Sequence, residues 1–135
     1  MPAKRILAIN DSQEVLQLFN DILREEGYDV VVSSYAMQEI NDVERIKPDL
    51  IIVDCLFNEE QMGWQLIQKL KMRRTTAAIP IVLCTAEMET VRNLEGHLRA
   101  KGVIVVLKPF DIEDLLAGID HAFENIKIIG DEPEV

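Results

Sequence analysis

The sequence predicts an α/β domain: a three-layer, doubly wound (βα)5 parallel sheet with helices on both faces. Three observations carry this. Five short apolar runs alternate with segments of helical periodicity, which is the pattern of βα units joined by right-handed crossovers. The run at Pro48–Asp54, PDLIIVD, is apolar without alternation, as a strand buried on both faces requires. No Pro/Gly-rich linker divides the 135 residues, a length that suits one core.

Arg5 to Asn10, RILAIN, is the first strand. Asp11 or Ser12 caps the following helix, with Asp11 and Glu14 at capping-box spacing. Its apolar stripe reads Val15, Leu18, Phe19, Ile22 and Leu23. Gly27 stands where a C-terminal glycine belongs. Tyr28 to Ser33 is the second strand. A weaker helix follows over about Ala36 to Ile46, and then comes the Pro48–Asp54 strand. A loop from Cys55 to Gly63 leads to a helix from about Trp64 to Arg73. Ile79 to Thr85 is the fourth strand. Glu87 to Ala100 is a helix with a sparse apolar face of Val91, Leu94 and Leu98, closed by Gly102. Val103 to Leu107 is the fifth strand. Asp111 caps a last helix bearing Ile112, Leu115, Leu116, Ile119 and Phe123 on one side. The domain is placed at residues 1–125, with 126–135 as a short acidic tail ending DEPEV.

A net charge of −10 argues against nucleic-acid binding by the domain as a whole and favours cationic partners, divalent ions included. Cys55 and Cys84 lie in or beside apolar runs and read as buried thiols, too few for a disulfide framework. No secretory h-region opens the chain and no apolar run reaches membrane-spanning length, so a cytoplasmic protein is expected. Lys69, Lys71, Arg73 and Arg74 read as a solvated helix end. His97 and His121 fall on helices, away from the strand ends. Trp64 is expected to pack near the loop after Asp54.

In open parallel sheets the ligand site lies off the carboxyl ends of the strands. Those ends carry Asn10 and Asp11, Asp54, Thr85 and Lys108. Two carboxylates held close repel unless a cation joins them. Mg2+ suits the set, because it takes one or two carboxylates, keeps waters and accepts phosphate oxygens. Asp11 and Asp54 are its candidate ligands, with the Leu56 carbonyl as a third and Asn10 orienting a coordinated water. Lys108 supplies a point charge and Thr85 a hydroxyl. This kit suits phosphoryl transfer, where positioning and charge stabilisation do most of the catalysis. Asp54 is the candidate nucleophile, since a carboxylate can form an aspartyl phosphate.

Asn-Asp at 10–11, Asp54, Thr-Ala at 85–86 and Lys-Pro-Phe at 108–110, on five βα units, resemble the receiver domain of two-component response regulators over about residues 4–125. The resemblance implies a flavodoxin-like sheet with strand order 2-1-3-4-5 and a cis Lys108–Pro109 bond. It implies that Asp54 takes a phosphoryl group from the phosphohistidine of a sensor histidine kinase or histidine phosphotransfer protein. It also implies a signalling domain, catalysing only its own phosphorylation and dephosphorylation. Its downstream protein partner would meet the face made by the fourth helix, fifth strand and fifth helix; no nucleic acid or membrane partner is expected, and a homodimer is compatible. The sequence departs from the family pattern in three places. Asn10 stands where an acid is usual, the loop after Asp54 reads CLFNEEQMG, and Val105 stands where an aromatic switch residue is common. These departures support an alternative: an unphosphorylated pseudo-receiver serving as a protein-interaction module. A flavin- or nucleotide-binding enzyme is a third reading, but the turn after the first strand, Asn10-Asp11-Ser12-Gln13-Glu14, has none of the glycines a phosphate cradle needs.

Overall fold

The computed structural model describes residues 3–10, 12–34, 40–54, 60–86, 100, 102–108 and 110–131. Five strands, β1 (Arg5–Ile9), β2 (Asp29–Ser33), β3 (Leu50–Asp54), β4 (Ile81–Thr85) and β5 (Val103–Leu107), form one parallel sheet in the order β2-β1-β3-β4-β5. The described helices are α1 (Gln13–Glu25), α2 (Ile40–Ile46), α3 (Glu60–Met72) and α4 (Ile112–Asp131). The doubly wound architecture and the strand order expected of the sequence are both present. The helix expected over 87–100 falls almost wholly outside the described residues.

Central strands β3 and β4 are buried at all five positions each, the consequence of unbroken apolar runs covered on both faces. The pleat divides their side chains between two core layers. Ile6, Ala8, Ile52, Val82, Cys84 and Val106 face α1 and α4, with Leu16, Phe19, Leu115 and Ile119 packed on them. Leu7, Ile9, Ile51, Val53, Ile81 and Leu83 face α2 and α3, with Val43, Ile67 and Leu70. Trp64 and Val105 pack, half-buried, on the second layer.

Several local expectations shift. Ser12, one of the two expected caps, caps α1, its hydroxyl accepting from the Val15 amide at 3.4 Å. The buried stripe of α1 is Leu16, Phe19 and Leu23, while Leu18 is 54% exposed and lines an open cleft with Ile22, Ile112 and Leu115. α3 begins at Glu60, inside the expected loop, where an acidic residue favours the helix N-terminus. α4 continues to Asp131, into the segment assigned to the tail. Asp111 does cap α4, through reciprocal bonds with Asp114: the Asp114 amide donates to Asp111 Oδ1 at 2.8 Å, and the Asp111 amide donates to Asp114 Oδ2 at 3.3 Å. Gly27 ends α1 with φ +92°, a conformation nearly free of cost only for glycine.

The basic run is not simply solvated. Lys71 Nζ donates to the carbonyls of Ala77 and Ile79 at 2.9 and 2.8 Å, pinning α3 to the turn before β4. Burial pushes its pKa down to about 8. Arg73 pairs with Glu44 of α2 at 3.3 Å.

α4 lies very close to the sheet at Gly118. A Cβ there would sit 2.6 Å from Val106 Cγ2, inside contact distance. Gly118→Ala should therefore destabilise by about 1–3 kcal/mol, although alanine gains up to about 1 kcal/mol in helix propensity. Urea unfolding of both single variants and the Gly118→Ala/Val106→Ala double variant checks this. A coupling of at least about 0.5 kcal/mol that relieves the clash is expected, and strict additivity would contradict it.

Candidate functional site

The pleat that sorts the core also builds the site. Along β3, Leu50 and Ile52 face α1 and α4, and the next residue on that face is Asp54. On β1 the same face runs Ile6, Ala8 and then Asn10. On β5 it runs Ile104, Val106 and then Lys108. Three apolar stripes thus end at one rim, each in a polar residue. The register aligns Ile9 with Val53, Asp54 with Cys84 and Cys84 with Val106, so Asn10 stands level with Asp54 and Lys108 two residues further along the same face of β5.

Asp54 is 2% exposed. Lys108 Nζ lies 2.6 Å from its Oδ1, and the lysine side chain is 27% exposed. Asn10, fully buried, donates from Nδ2 to Asp54 Oδ2 at 2.5 Å. The Asn10 Oδ1 accepts from the Ser12 amide at 2.7 Å, and the Asn10 main-chain N–H donates to the Ser33 carbonyl at 3.0 Å. Burial raises the Asp54 pKa above the ordinary carboxylate value, against the opposing pull of the Lys108 ammonium and the Asn10 amide. Desolvation of the charge therefore outweighs both partners.

Thr85, fully buried, ends β4 opposite Leu107, and its carbonyl accepts the Lys108 amide at 2.9 Å. This main-chain bond fixes where the lysine leaves β5. Of the residues singled out in the sequence, the structure brings Asn10, Asp54 and Lys108 into direct contact and sets Thr85 beside them. Asp11, Leu56 and Pro109 lie outside the described residues. His121 is exposed on α4, away from the site. Cys84, fully buried, is paired in register with Asp54 and faces the same core layer; sequence reading gave it only a packing role.

The donor chemistry fits a hard divalent cation. Asp54 offers buried oxygens whose negative charge is poorly solvated, the condition under which a cation is drawn in. Among the described residues no group of three or more His, Cys, Asp or Glu side chains is placed to hold a metal. Among the described residues no helix is long and apolar enough to cross a membrane.

The sequence model of the response regulator receiver domain matches residues 6–120. The DNA-binding response regulator MtrA of Mycolicibacterium smegmatis is 29% identical over 116 residues, covering 86% of this chain and 49% of that protein. The phosphate regulon transcriptional regulatory protein PhoB of Escherichia coli is 28% identical over 124 residues, 92% of this chain and 53% of that protein. The chain thus spans about half the length of the curated relatives it matches. Among solved structures, the chemotaxis response regulator CheY4 of Vibrio cholerae superposes with a TM-score of 0.73 at 25% identity, covering 89% of this chain and 98% of that one. A sensor protein from Polaromonas sp. JS666 gives a TM-score of 0.76 at 28% identity, over 93% and 99%.

A raised carboxylate pKa means that the charged form costs folding free energy at neutral pH, and that the cost disappears as pH falls through the raised value. Asp54→Asn removes that cost. Its Tm at pH 7 without divalent ions should exceed the wild-type value by a few degrees, with the gap closing in acid. A variant less stable than wild type at pH 7 would show that the ion pair outweighs desolvation.

Proposed function

Since the chain belongs to the response regulator receiver domain family, we propose that it is a phosphoacceptor: Asp54 takes a phosphoryl group from a phosphohistidine on a sensor histidine kinase or a histidine phosphotransfer protein. The observation that carries this reading is the Lys108 ammonium 2.6 Å from a carboxylate that is 2% exposed. Such a carboxylate is a positioned nucleophile, and the ammonium beside it is placed to follow negative charge onto a transferring phosphoryl group.

In this reading Asp11 and Asp54 hold Mg2+, with the Leu56 carbonyl as a third ligand. The ion supplies neutralisation of the phosphoryl oxygens. Thr85 contributes a hydroxyl to the phosphoryl group, and Lys108 pairs with it. Signalling follows from the charge change. A phosphoryl group adds roughly −1.5 to −2 charges and strong acceptors, and drawing Lys108 and Thr85 toward it alters the surface around β5. Leu107, 39% exposed at the end of β5, would respond to that movement because the next residue is Lys108. A near-complete shift between two states needs about 5.5 kcal/mol of differential interaction, of which charge-assisted contacts can supply a substantial part. The downstream partner is a protein that reads this face, and the proposed compartment is the cytoplasm. The DNA-binding role in the printed name of the mycobacterial relative is not proposed for this chain.

Incubation with acetyl phosphate and Mg2+ tests the reading. The expected result is a mass gain of one phosphoryl group, absent in Asp54→Ala and lost when the ion is chelated. No gain with acetyl phosphate or any histidine phosphodonor would favour the pseudo-receiver, an unphosphorylated interaction module, for which Asn10 in the place of an acid is the chief argument.

A further inference from the structure

We propose that Asn10 is a positioning residue for Asp54: its amide holds Oδ2 so that Oδ1 is the oxygen that takes the phosphoryl group, and it does so without adding a further negative charge to those of Asp11 and Asp54, which would tie the site's geometry more closely to a divalent ion. The inference rests on the phosphoacceptor reading above and concerns how this chain's own residues carry it out.

The orientation of the amide is determined by its neighbours. Asn10 Oδ1 accepts from the Ser12 N–H at 2.7 Å, a bond an NH2 group cannot make. The NH2 group must therefore face Asp54 Oδ2, where it lies at 2.5 Å. With its own main chain bonded to Ser33 and Ser12 capping α1, Asn10 is held by β2 and by the start of α1 while it holds Asp54. The two carboxylate oxygens are consequently unlike. Oδ2 accepts from a fully buried neutral donor, itself bonded to the Ser12 amide. Oδ1 faces the ammonium of a partly exposed lysine at 2.6 Å, which can shift as charge moves.

In the transfer, an Oδ1 electron pair attacks phosphorus and the P–N bond of the phosphohistidine breaks. Its pair leaves on the donor ring nitrogen, and with the other ring nitrogen protonated the product is neutral imidazole. With acetyl phosphate, the P–O bond breaks and acetate leaves. Asp54 becomes an acyl phosphate in which Oδ2, now a carbonyl oxygen, still accepts from Asn10. The Lys108 ammonium passes from Oδ1 to a phosphoryl oxygen.

An acid at position 10 would place a carboxylate directly against Asp54 in addition to Asp11, and would raise the site's need for a cation. A neutral donor there keeps Asp54 in position in the absence of the ion and lowers the charge that attracts it. The wild-type protein is thus expected to bind Mg2+ weakly and to keep its site geometry without it.

Calorimetric Mg2+ titration and thermal melting of wild type, Asn10→Asp and Asn10→Ala, combined with acetyl phosphate labelling, test this. Asn10→Asp should bind Mg2+ about 10- to 100-fold more tightly, the range that partners of metal ligands command. Its Tm in chelator should fall below wild type and recover with Mg2+. Asn10→Ala should label about tenfold more slowly at saturating Mg2+, with its half-saturating Mg2+ concentration unchanged. Equal Mg2+ affinity in wild type and Asn10→Asp, or wild-type labelling by Asn10→Ala, overturns the inference. A wild-type protein that takes no phosphoryl group at all overturns the phosphoacceptor reading instead, and the Mg2+ titrations then still decide whether residue 10 governs the ion.

Discussion

A carboxylate with almost no access to water, wedged between an ammonium and an amide, is the constraint around which this molecule is arranged. Asp54 is 2% exposed and its pKa is raised by burial, so its charge is held at an energetic cost. Groups of that kind are retained where chemistry needs them. Lys108 and Asn10 reduce the cost without abolishing it. The remainder is what makes the site responsive: any event that changes the charge on Asp54 changes the balance with both neighbours.

The fold is what brings these three together. Strand order β2-β1-β3-β4-β5 sets β1 next to β3, so a short Asn side chain reaches Asp54 directly. β5 is separated from β3 by β4, a span of roughly 10 Å given normal strand spacing. A long side chain is needed to cross it, and Lys108 is one. The strand it passes carries Cys84 at the position in register with Asp54. The apolar stripes beneath, on the layer shared with α1 and α4, hold the three strand ends at one rim. Packing, topology and site geometry are therefore one arrangement seen at different scales.

Much of this was legible in the chain. Unbroken apolar runs, capping residues and glycine stops gave five strands and the described helices, because each signal is local and strong. The grouping of Asn10, Asp54, Thr85 and Lys108 followed from a general property of parallel sheets, that their carboxyl ends share an edge. What escaped depends on tertiary contact. Which α1 residues are buried, Leu16 rather than Leu18, is set by how the helix meets the sheet. Lys71 looked like a solvated helix end, yet its amine is captured by carbonyls eight and fewer residues further on. The bonds of the Asn10 amide to Asp54 and Ser12 also lie beyond the sequence; only the folded geometry shows which neighbour an amide meets.

The central claim is that the Lys108 ammonium offsets the desolvated charge of Asp54. It is tested most directly by measuring the Asp54 carboxyl pKa by carbon-13 NMR titration in wild type and in Lys108→Met, both without divalent ions. The account predicts a wild-type value above that of an ordinary aspartate and a further rise in the variant. An Asp54 pKa that is ordinary in the wild type, or that does not move when the ammonium is removed, would contradict it.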